Sequence, residues 1–155
     1  MEVRIEQLQP MRVAFMRHVG PYDQVGETWA KLMAWAGPRE LLGPHTKVIG
    51  IVHDDPEVTP PEKIRYDACF AVGEQVKLEG DVGIQEIAGG DYAVTTHRGP
   101  YDSLGQTYAR LCGEWLPGSG REVRSIPAFE MYHNTPQSTA REDLLTDIYI
   151  PLEGQ

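Results

Sequence analysis

The chain has 155 residues, 41% hydrophobic and 24% charged, with a net charge of −9 and a pI near 4.9. That acidity, with no run of Lys or Arg, argues against DNA as a direct partner, because nucleic-acid affinity comes largely from neutralising phosphates. No apolar stretch is long enough to span a bilayer and no apolar h-region follows Met1, so neither a membrane span nor a signal peptide is read, and a cytoplasmic location is expected.

From the start, EVRIEQLQ (2–9) and MRVAFMRH (11–18) alternate apolar and polar residues as half-buried strands do, with Pro10 between them. GPYD (20–23) follows, with Asp23 available as a helix cap or first-turn acid. Val25, Trp29, Leu32, Met33 and Ala36 then share one helical face, and Gly37-Pro38 stops the helix. Two further strands are predicted at about 47–53 and 65–72, joined by the Pro-rich DDPEVTPPE. The pattern then begins again. Within VGIQEIAGGDYAV, the AGGD segment reads as a hairpin turn between two strands. A second GPYD (99–102) leads into a helix whose face is Leu104, Tyr108, Leu111, Cys112 and Trp115, with Pro117-Gly118 as its stop. Strands at about 128–133 and 144–152 close the chain.

The recurrence is literal as well as periodic. HVGPYDQVGETWAKL (18–32) and HRGPYDSLGQTYARL (97–111) agree at nine of fifteen positions with an offset of 79. One extra residue shifts the offset to 80, pairing His53 with His133, Pro56 with Pro136, Glu62 with Glu142 and Asp67 with Asp147. The reading is one domain over residues 1–155, built from two internal repeats, about 1–73 and 80–152. Each repeat is a ββαββ unit. The fold class is α+β: an antiparallel sheet with two helices on one face, in pseudo-twofold arrangement around a central ligand groove.

Glu130 stands out because it interrupts the apolar strand PAFEMYH. A buried carboxylate is costly without a partner or a cavity; the alternative is an acid facing solvent on a half-exposed strand. Tyr132 shares the face of Glu130, and Phe129 and Met131 take the other. Tyr149, in DIYIP, is a weaker candidate of ambiguous face. Trp29 and Tyr108 occupy equivalent helical positions, one turn after Val25 and Leu104, and serve either as core or as pocket walls. Aromatic faces beside a carboxylate suit a flat organic cation. The acid has no twin: Gly50 stands where the first repeat would carry Glu130, and Val52 where it would carry Tyr132. Cys69 and Cys112 are read as reduced core residues, and Tyr22, Tyr101, His18 and His97 as architecture at the strand–helix corner. The histidines lack metal-ligand spacing, so neither a metal nor a cofactor is expected.

GPYDxxGxTxAxL twice, AFEMYHNTP and the closing TDIYIPL resemble the GyrI-like small-molecule-binding family. That family includes effector-binding domains of AraC-type and MerR-type multidrug regulators and stand-alone proteins similar to the bacterial gyrase inhibitor. The resemblance implies two strand–helix–strand–strand modules with a ligand groove between them. It also implies binding of bulky, often cationic, aromatic compounds, with Glu130 at the pocket floor and Trp29 and Tyr132 on its walls. Some stand-alone relatives are hydrolases that open cyclopropane rings, in which case Glu130 would be catalytic. DNA gyrase is a partner implied by a gyrase-inhibitor-like role. No helix-turn-helix flanks the domain, so the DNA-binding half of a regulator is not expected here.

Overall fold

A computed structural model describes residues 1–75 and 80–154. In chain order the elements are β1 (Arg4–Leu8), β2 (Met11–Val19), α1 (Gly26–Ala36), β3 (Val48–Val52), β4 (Arg65–Ala71), β5 (Gly83–Ile87), β6 (Gly90–Arg98), α2 (Leu104–Arg110), a π-helical turn (Leu111–Trp115), α3 (Leu116–Ser119), β7 (Ala128–Tyr132) and β8 (Leu145–Pro151). The class is α+β, and the paired strands are antiparallel. Among the described residues no helix is long and apolar enough to cross a membrane.

The chain forms two compact units. A middle unit spans Pro10–Ala88; a terminal unit combines Met1–Gln9 with Gly89–Gln155. In the middle unit the strand order is β3-β4-β2-β5, and in the terminal unit β7-β8-β6-β1. The hairpin expected at AGGD is therefore absent among the described residues, and the strands on either side of Pro10 do not pair with each other either. β1 does not fold back on β2 but pairs with β6, Ile5 facing Ala93, while β5 pairs with β2, Ile84 facing Ala14. Only Gln9 and Pro10 separate β1 from β2. Of the tight two-residue hairpins, type I′ needs positive φ at both central positions, which Pro10 cannot adopt, and type II′ needs it at the first, where Gln9 rather than a glycine stands. In the second copy Gly90 does take a φ of 120°, yet it already belongs to β6.

Each unit covers one sheet face with its helix. In the middle unit Leu32 and Ala36, both fully buried, lie on Ala14, Tyr66, Ala68 and Phe70. In the terminal unit Leu111 lies on Ala93, Ile148, Ile150 and Leu152. Burying one such side chain is worth about 1.5–3 kcal/mol for the larger apolar types. The second helix departs from the expected face at Cys112, which is exposed. Pro117 has no N–H for the Gly113 carbonyl, and its ring crowds that oxygen in a regular helix. The chain answers with a π turn, Leu116 N–H bonding to Leu111 O, which carries Trp115 and Leu116 rather than Cys112 toward the core. The helix thus runs through Pro117-Gly118 to Ser119, ending at Gly120 with φ 74°.

The duplicated motif has a clear local purpose. His97 Nε2 donates to the Pro100 carbonyl at 3.1 Å, so its Nδ1 accepts from the Thr107 hydroxyl at 2.7 Å. His18 makes the same pair of bonds to Pro21 and Thr28. The intervening Gly20 and Gly99 adopt φ of 141° and 129°, conformations that only glycine takes readily, and their amides bond to Ile64 and Leu144. The motif is the strand-to-helix corner of each unit.

Candidate functional site

In the terminal unit α2 lies over the face of the sheet that carries Glu130. Register places Glu130 opposite Ile148 and Tyr132 opposite Thr146, all on the helix side. Glu130 is 7% exposed. The Tyr108 hydroxyl donates to its Oε2 at 2.6 Å and the Tyr132 hydroxyl to its Oε1 at 2.7 Å. Both oxygens thus hold short, charge-assisted bonds from neutral donors. Burial pushes the Glu130 pKa up, opposed by the two phenols and by His97 nearby. Among the described residues no Lys or Arg forms an ion pair with it.

Tyr101, from the corner turn, rests edge-on against Tyr132 with ring centroids 5.8 Å apart. Burial, then the charge of Glu130, raise its phenol pKa. Three tyrosines and one carboxylate are therefore drawn together from the corner, from α2 and from β7. Leu104 packs beside Tyr108 on the same core. Thr146, fully buried opposite Tyr132, has a hydroxyl with no hydrogen-bond partner among the described residues.

The other candidates lie elsewhere. Tyr149 is on the opposite sheet face, stacked on Phe129 at 4.4 Å between nearly parallel rings and edge-on to Tyr92. Burial, with the charges of Glu6 and Asp147, pushes its phenol up to about 12. Trp29 and Val25 belong to the middle unit and pack against its core. The Trp29 indole N–H donates to the Tyr66 hydroxyl at 3.2 Å. In that unit the position of Glu130 is Gly50, opposite Ala68, and that of Tyr132 is Val52, opposite Tyr66.

Sequence reasoning did not foresee a buried charge cluster in each unit. Asp67, fully buried, accepts from Arg17 at 2.8 and 3.0 Å, from His53 at 2.8 Å and from Gln85 at 2.9 Å. Burial alone would raise its pKa, but His53, Arg17 and Gln85 together hold it well below the usual carboxylate range. Asp147 is its counterpart, bonded by His133 at 2.7 Å, Arg4 at 3.2 Å and Thr96 at 2.5 Å. The signal was present in the matched pairs His53–His133 and Asp67–Asp147. Each cluster ties its strands together at the face away from the helix, with every acid oxygen satisfied.

The model of the GyrI-like small molecule binding domain matches residues 1–153. The chain is 30% identical over 155 residues to the probable transcriptional regulator YgiV of Escherichia coli K12, covering 98% of this chain and 96% of that one. It is 29% identical to the DNA gyrase inhibitor of Salmonella typhimurium, covering 99% of each. Among solved structures, the EcmrR C-terminal domain superposes with a TM-score of 0.79 at 21% identity, over 99% of this chain and 98% of that one. A hydrolase from Listeria innocua gives 0.72 at 10% identity, over 98% and 92%. SAV2435 bound to tetraphenylphosphonium gives 0.66 at 17% identity, over 99% and 95%.

Proposed function

Because this chain belongs to the GyrI-like family of small-molecule-binding domains, we propose that it binds bulky hydrophobic organic cations, with Glu130 as counter-charge and Tyr108 and Tyr132 as aromatic walls. One observation carries this reading. Glu130 is a 7%-exposed carboxylate whose hydrogen-bond partners are neutral phenols, so its charge is solvated but not balanced. A cation seated against the tyrosine rings supplies the balance, each ring adding about 0.5–2 kcal/mol of cation–π attraction. Leu104 extends the apolar wall. The tetraphenylphosphonium held by the structurally similar SAV2435 supports the ligand class. Affinity for several unrelated cations, and action in the cytoplasm as a receptor or sequestering protein, belong to the same proposal. A thermal-shift screen of lipophilic dyes and drugs tests it, since a ligand that binds only the folded chain raises its melting temperature. Cations should shift wild type more than Glu130→Gln; equal shifts throughout would sink the reading.

A second reading rests on the raised pKa of Glu130, which suits a proton carrier. Together with the fold shared with a hydrolase, it supports hydrolysis of cyclopropane-containing electrophiles at the same site. Multi-turnover product from such a compound would favour it over simple binding. The 29% identity to a DNA gyrase inhibitor supports a gyrase-directed role, which a salt-resistant pull-down against gyrase would test.

A further inference from the structure

Resting on the assignment of Glu130 as the counter-charge, we propose that Tyr101 is the entry residue of that site, the ring a ligand displaces to reach the carboxylate. The two GPYD tyrosines share one local sequence, so their different fastening is informative. Tyr22 is tied down: its hydroxyl donates to the Asp54 carbonyl at 2.6 Å, and its ring stands edge-on to Tyr66 at 6.0 Å. Tyr101 has no hydrogen-bond partner for its hydroxyl among the described residues, and it is 37% exposed although its ring rests on Tyr132.

The cause is an exchange of bulk between neighbouring strands. In the middle unit the aromatic beneath the corner is Tyr66 on β4, with small Val52 across from it on β3. In the terminal unit it is Tyr132 on β7, with small Thr146 across from it on β8. The corner tyrosine follows the aromatic. Tyr101 therefore lies over the ring that reaches Glu130, rather than bonding to a carbonyl as Tyr22 does. Of the three tyrosines around the acid, Tyr108 and Tyr132 are each held by a short bond to it. Tyr101 alone has only an edge-on ring contact, so its side chain is the one that rotates without breaking a hydrogen bond. The ring both shields the Tyr132–Glu130 pair and can leave it. Bulky cations, which need the widest opening, are the class whose entry it controls.

Stopped-flow mixing of the full chain with tetraphenylphosphonium, followed by intrinsic fluorescence, tests this. The variants are Tyr101→Ala, Tyr101→Trp and Glu130→Gln. Tyr101→Ala is expected to raise the association rate constant about tenfold and Tyr101→Trp to lower it about threefold. An unchanged association rate constant in both Tyr101 variants overturns the proposal. So does a change confined to the dissociation rate constant, which would make Tyr101 a wall of the filled site. If Glu130→Gln weakens binding while the Tyr101 variants behave as wild type, only the entry role falls. If Glu130→Gln binds as wild type does, the counter-charge and the entry role fall together.

Discussion

Replacing Glu130 by Gln changes the charge and almost nothing of the shape. The Gln carbonyl can accept from one phenol, and its NH2 can donate to the other once that hydroxyl rotates, so Tyr108 and Tyr132 both stay partnered. The fold should persist. What disappears is the counter-charge, and attraction between unit charges roughly 6–8 Å apart at an effective dielectric of about 20–40 is worth about 1–3 kcal/mol. Affinity for tetraphenylphosphonium should fall about 5- to 150-fold. Triphenylphosphine oxide, which keeps three rings without the charge, should lose much less. Calorimetric titration of both compounds into both proteins gives the comparison. A pH series adds a second check. Burial raises the folded pKa of Glu130 above its ordinary 4.5, so its contribution to stability is complete below the unfolded value and is lost as pH rises through the folded one. Glu130→Gln should therefore gain on wild type in urea unfolding as pH rises through that window. Over the same window wild-type affinity for the cation should increase while that of the variant stays flat. Equal cation affinity for the two proteins at every pH would refute the assignment of Glu130.

Asp67→Asn should cost about 2–4 kcal/mol in urea unfolding at neutral pH, because it removes the charge of a fully buried carboxylate that Arg17, His53 and Gln85 hold. Since Asp67 titrates below its ordinary value, its stabilisation is present above the unfolded pKa near 3.8 and is lost as pH falls through the folded one, so the gap to the variant should shrink in strong acid. Tyr22→Phe should lose about 1 kcal/mol with its bond to Asp54, and Tyr101→Phe less than about 0.5; equal losses in chemical denaturation would contradict the difference in fastening. Trp29→Ala should lower stability by about 2–3 kcal/mol, below the range for fully buried aromatics because the indole is half-buried.

The repeating alternation in EVRIEQLQ, MRVAFMRH and their counterparts made the strands legible, and the predicted limits 65–72 and 144–152 match β4 and β8 to within a residue at each end. Glu130 was legible because a charge inside an apolar strand demands an explanation, and Tyr132 followed from the two-residue period of a strand. Strand partners were not legible. β1 alternates equally well beside β2 or beside β6, and hydrogen bonds between backbones carry no side-chain label, so only the folded chain settles the pairing. The face of Tyr149 was hidden for a related reason. TDIYIPL is buried on both sides, so its apolar run has no period, and the register that stacks Tyr149 on Phe129 decides its side. Cys112 left the core because Pro117, five residues later, widened the helix. The same local sequence, GPYD, produced a fastened tyrosine in one unit and an unfastened one in the other. That difference comes from Tyr132 and Thr146 standing where the middle unit has Val52 and Tyr66, residues remote in the chain that meet the corner only after folding.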